Sequence, residues 1–156
     1  MPMPGKLPAL LTSLAFVLVN AVLPNISIAE ENRVTFPANI DKLVHYTTVT
    51  RGEVEEILTT QEAIDAVANN QPIPYGTHVV IRFHRDREIT RYFVMQKGRG
   101  WGQDYPNGRT KDWQFQFYNA DQSIKLEENT QRCQSCHARR ASDQFIYTFD
   151  ELKDFQ

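Results

Sequence analysis

The sequence predicts an α+β domain, a mainly antiparallel β-sheet with flanking helices. Three observations carry that expectation. Apolar and polar residues alternate with period two in three separate stretches, "THVVIRFHR", "ITRYFVMQK" and "WQFQFYN". Helical spacing is concentrated ahead of them. Segments rich in Gly, Pro, Asn and Asp separate the stretches and mark turns.

The first residues read differently from the rest. Lys6 precedes an apolar run from Leu10 to Leu23, then Ser27-Ile28-Ala29 and the acidic Glu30 and Glu31. A positive start, an apolar stretch and a small-residue site make a secretory signal peptide. Residues 1–29 are therefore expected to be removed after Ala29, leaving one domain over residues 30–156. The apolar run is short for a membrane span and is broken by Ser13 and Asn20. The mature protein is expected in the periplasm or secreted, with no membrane association.

Composition excludes little else. The 156 residues carry a net charge of −2 with 41% hydrophobic residues, which is ordinary for a soluble domain and not basic enough for nucleic acid. No internal repeat or low-complexity segment is evident.

The elements follow in order. Residues 30 to about 50 start irregularly. Thr50 with Glu53 three residues later reads as a capping box for a helix carrying Val54, Ile57 and Leu58. "TQEAIDAVANN" predicts a second helix, with Thr60 as cap and Ala63, Ile64 and Val67 on one face. "NNQPIPYG" stops helical structure through Pro72, Pro74 and Gly76. The first two alternating stretches then form a hairpin about the polar "RDRE". "KGRGWGQDYPNGRTKD" reads as a loop and "WQFQFYN" as a half-buried strand. "KLEENTQRCQSCHARR" is expected to be partly helical, and "FIYTF" to close the domain as a strand.

Both cysteines of the chain fall within five residues, Cys133-Gln134-Ser135-Cys136-His137. Cys-x-x-Cys-His is the attachment signature of c-type haem. One helical turn between the thiols lets both reach the vinyl groups of one porphyrin edge, and the adjacent imidazole can ligate the iron. Three other chemistries use such a pair. A disulfide across two intervening residues is strained. A thioredoxin-like pair belongs early in a βαβ unit. A zinc site needs about four ligands, and His45, His78 and His84 lack finger spacing. Haem also suits the exported compartment. The expectation is one covalently attached haem c, with Cys133 and Cys136 binding the cofactor and His137 the metal ligand.

A six-coordinate electron carrier needs a second axial ligand, often Met. After signal removal Met95 is the one methionine, in an apolar strand. Met95 or one of the three other histidines could serve, which keeps an electron-transfer cytochrome c as the alternative.

The sequence resembles the cytochrome P-460 / cytochrome c′-beta family across nearly the whole mature chain. The matching pieces are Pro74-Tyr75-Gly76-Thr77, "YFVMQKGRGWG" with Lys97 and Trp101-Gly102, Asp112-Trp113-x-Phe115, and the late Cys133-x-x-Cys136-His137 followed by Asp143 and Phe145. The resemblance implies an antiparallel β domain with haem packed on the sheet, five-coordinate iron and a homodimer. It implies hydroxylamine oxidation, with electrons passed to a soluble redox partner, or binding of nitric oxide. It also gives Lys97 a possible catalytic role through a haem crosslink, although the acidic residue that often follows that lysine is absent. Strand alternation puts Lys97 on one face with Phe93 and Met95.

The open haem face is expected to be walled by Phe83, Phe93, Phe115 or Phe117, with Asp104 and Asp143 as possible acids. Trp101 and Trp113 read as packing residues. Arg139 and Arg140 form a solvated face, or pair with haem propionates or an acidic partner.

Overall fold

The structure is a computed structural model that describes residues 1, 32–103, 105 and 109–155. Residues 2–29 of the expected signal peptide, and Asp104, lie outside the described residues. Five strands form one sheet in sequential order, β1 Val44–Thr50, β2 Val54–Thr59, β3 His78–Arg85, β4 Glu88–Gly102 and β5 Lys111–Asn119. Every neighbouring pair is antiparallel. Among the described residues three α-helices accompany them, α1 Gln61–Ala68, α2 Gln131–His137 and α3 Phe149–Asp154. The fold class is thus the α+β arrangement the alternation predicts.

The β3–β4 hairpin turns through Asp86 and Arg87, whose φ angles of 51° and 70° are those of a two-residue turn matched to strand twist. Helix α1 begins at the predicted cap, where the Thr60 hydroxyl accepts a 3.2 Å hydrogen bond from the Ala63 amide. Ala63, Ile64 and Val67 are its buried stripe.

Four expectations need correction. The segment after Thr50 is strand β2, and Glu53 caps nothing there; its carboxylate takes hydrogen bonds from Arg91 at 2.6 Å and Arg85 at 2.9 Å. Ile57 and Leu58 are both buried because β2 has both faces covered, so alternation is lost and a helical spacing arises by coincidence. The β-branched "YTTVT" before it belongs to strand β1, which pairs with β2. Strand β4 runs on to Gly102, through half of the segment expected to be a loop. "FIYTF" is not a strand. Gln144 and Phe145 have positive φ, the Ile146 amide bonds back to Asp143, and α3 starts at Phe149.

The sheet divides two cores. One face carries Ile57, Val79, Phe93, Met95, Trp113 and Phe115 against α1, α3 and the 145–146 turn. The other carries Val80, Tyr92, Val94 and Tyr118 under Val34, Phe36 and Ile40. The glutamines alternating with aromatics in β5 are therefore buried, so the strand is covered on both faces. Gln114 accepts from the Arg33 amide at 2.8 Å, Gln116 from Asn32 at 2.7 Å, and Gln96 of β4 from the Thr35 amide at 2.9 Å. These bonds satisfy polar groups that burial would otherwise penalise.

Candidate functional site

Helix α2 puts one turn between Cys133 and Cys136, so both thiols lie on one side of the helix. They line a cavity of about 440 Å³ together with His137, which ends the helix. That volume falls in the range of cofactor clefts, roughly 300–1,000 Å³. Both thiols are free. Burial pushes the Cys133 thiol up to about 11, the opposite of the lowered value a redox-active pair requires.

His137 is fixed by its surroundings. Its Nδ1 lies 2.6 Å from the Phe145 carbonyl oxygen. A carbonyl only accepts, so Nδ1 carries the proton and Nε2 presents a lone pair. Phe115 and Tyr147 flank the ring with centroids at 4.8 and 5.1 Å. Burial lowers the pKa of the imidazole, while the bond to Phe145 works in the other direction. The neutral ring is the form that binds metal. The Tyr147 hydroxyl donates to the Cys136 carbonyl at 3.0 Å, tying the turn after α2 back to the motif.

The remaining lining is mostly the apolar sheet face, including Val79, Ile81, Phe83, Phe93, Met95 and Phe117. Of the four expected wall residues, Phe115 instead packs on His137 and is fully buried. Arg51 and Glu55, from the β1–β2 hairpin, and Arg132 bring charge to the lining. Sequence reasoning missed Glu55 because it assigned that segment to a helix. Its register opposite Phe83 reveals the placement.

Other candidates lie elsewhere. His45 bonds to Thr47 and Thr48, His78 to Thr35, and His84 to Glu56, and none lines the cavity. Asp143 pairs with Arg140 at 2.7 Å. Trp113 is a packing residue, fully buried. Trp101 covers Gly98, where a Cβ would run into the indole ring.

Lys97 pairs in register with Trp113, two places beyond the Met95–Phe115 pair, so it shares the predicted face. It is 9% exposed, and its Nζ donates to the Ile73 carbonyl at 2.7 Å. The Tyr75 and Trp113 rings lie 5.4 and 5.9 Å from the ammonium. Burial lowers its pKa, and the Asp112 charge partly offsets this. Lys97 is not among the cavity-lining residues.

The donor set suits haem. Among the described residues no group of three or more His, Cys, Asp or Glu side chains gathers to hold a bare ion. A single imidazole nitrogen beside two thiols, in an apolar cleft, fits a metal that brings a macrocycle of its own ligands. An antiparallel domain with that constellation has the features of a haem protein. A family profile, Cytochrome P460, matches residues 39–148, well over half of the chain. The chain belongs to that family, and haem is the cofactor the family implies. A search of curated proteins found no match.

Proposed function

We propose that the protein is an exported mono-haem c-type cytochrome that binds small nitrogen compounds at five-coordinate iron. Cys133 and Cys136 would anchor one haem c per chain, and His137 would ligate its iron. The observation that carries this reading is the convergence of the three motif side chains on an apolar cavity, with Nδ1 of His137 engaged and Nε2 available. Attachment is an addition: each S–H adds across a porphyrin vinyl group, so a C–S bond forms without net oxidation.

When bound, haem supplies the ligand-binding and electron-transfer centre. The chain's own residues set what reaches it. Phe83, Phe93 and Phe117 give the cavity an apolar wall, which disfavours charged ligands and favours a small, weakly polar one such as nitric oxide. Arg51 and Arg132 line the cavity and would offer positive charge to the porphyrin carboxylates.

Two further readings rest on particular side chains. Glu55 is the one carboxylate lining the cavity among the described residues. As a general base it would take protons from hydroxylamine, making the protein a hydroxylamine-oxidising enzyme that passes electrons to a soluble redox partner. Met95 lines the same cavity. Its thioether as a second axial ligand would make an electron-transfer cytochrome. Lys97 is the residue that would form a haem crosslink, and its amine would first have to leave Ile73. Periplasmic location and a homodimer complete the proposal.

The test is the ferric absorption spectrum of exported protein, with and without nitric oxide. A high-spin spectrum that changes on adding nitric oxide is expected. A low-spin spectrum without added ligand would favour Met95 ligation, and hydroxylamine-dependent reduction of an artificial acceptor would favour the enzyme.

A further inference from the structure

The carbonyl that accepts the hydrogen bond from His137 Nδ1 sits in a strained turn. Gln144 and Phe145 are consecutive residues with φ of 49° and 68°, and neither is glycine. Such backbone persists only where its surroundings over-determine it, and it concentrates at functional sites. Here the Gln144 side chain does the holding. Its Oε1 accepts from the Ile73 amide at 2.8 Å, and its Nε2 donates to the Gln71 carbonyl at 3.2 Å. Ile73 is itself pinned at its other end, where its carbonyl accepts from Lys97. The Phe145 amide bonds to the Arg140 carbonyl at 2.7 Å, and the Phe145 ring is buried in the core.

We infer that Gln144 is a positioning residue for the iron ligand: by clamping the strained turn to the 71–73 segment, it aims the Phe145 carbonyl at His137 Nδ1 and thereby tunes the electron donation of His137 to haem. The inference rests on His137 being the iron ligand, as proposed above. A hydrogen bond from the distant ring nitrogen of a ligating histidine fixes ring orientation and raises its basicity. A more basic ligand stabilises the ferric over the ferrous state. Lys97 joins the same chain of contacts, through Ile73 to Gln144, and so reaches the haem site without touching it.

The experiment compares exported holoprotein carrying Gln144→Ala or Gln144→Glu with the parent. The readouts are the iron–histidine stretching band of the ferrous form, the reduction potential and the melting temperature. Gln144→Ala should move the band to lower frequency and the potential to a more positive value. Gln144→Glu keeps the acceptor for the Ile73 amide and should restore both towards the parent. If Gln144→Ala does not accumulate, Lys97→Met releases Ile73 from its other end and should shift both readouts in the same direction. A lowered melting temperature with an unmoved band and potential would make Gln144 merely structural and overturn the inference. Absence of an iron–histidine band in a parent whose ferrous haem is five-coordinate would instead sink the reading of His137.

Discussion

Lys97 donates a hydrogen bond of 2.7 Å to the carbonyl oxygen of Ile73, across the end of the sheet. Lys97→Met would leave that buried carbonyl without its donor, a loss of about 1–3 kcal/mol. Chemical denaturation of the holoprotein should show a lower midpoint with little change in slope. The same contact bears on the crosslink. Because the amine is occupied, proteolysis of the parent protein is expected to leave haem on the Cys133–Cys136 peptide alone. A haem-bearing peptide containing Lys97 would show that the amine abandons Ile73 in the mature protein.

Glu55 separates the enzyme from the gas-binding protein. Glu55→Gln keeps the shape and removes the base. If the protein oxidises hydroxylamine, that activity should fall by roughly 10²- to 10⁴-fold, the usual contribution of general base catalysis. Nitric oxide binding, followed by absorption, should change little. Equal hydroxylamine turnover in both proteins would remove Glu55 from the chemistry.

The second core predicts an alkaline response. Tyr118 donates to the Val34 carbonyl at 2.9 Å, and burial raises its pKa from 10.0 to about 12. A raised folded value means that the native state holds its proton longer than the unfolded state. The stability this contributes is complete below the unfolded value, about pH 10, and declines as pH rises towards the folded value. Burial raises the pKa of Tyr46, bonded to Thr148 at 2.6 Å, in the same direction. Denaturation midpoints should therefore fall above pH 10, and Tyr118→Phe should flatten part of that fall. An unchanged pH profile in the variant would contradict the assignment.

The α1 cap offers a check on local structure. Thr60→Ala removes the acceptor for the Ala63 amide, and a loss of about 1 kcal/mol in global stability is expected. No measurable loss would mean that the α1 start is held by packing alone.

The hairpin strands were legible because they depend on local chemistry, and the Cys-x-x-Cys-His turn of helix is as local. Cys133, Cys136 and His137 are adjacent along the chain, and the β3 and β4 alternation survives in the sequence. The cap at Thr60 was equally local. What escaped depended on partners far away. Burial of Gln96, Gln114 and Gln116 follows from the 32–36 segment crossing the second face, which alternation within β4 and β5 cannot reveal. Covering both faces of β2 erased its period of two, and Glu55 was hidden with it. The run from Phe145 to Phe149 was too short for periodicity to separate a strand from a turn and helix. Its role in holding His137 emerged only through contacts with Ile73 and Gln71.

The two thiols and the imidazole of one short motif are proposed to hold covalent haem. Intact-mass measurement of the exported protein under denaturing conditions tests it most directly, alongside a variant carrying both Cys133→Ser and Cys136→Ser. One haem retained on each parent chain and none on the double variant is the expected result. A parent chain with two unmodified thiols and no bound porphyrin would contradict it.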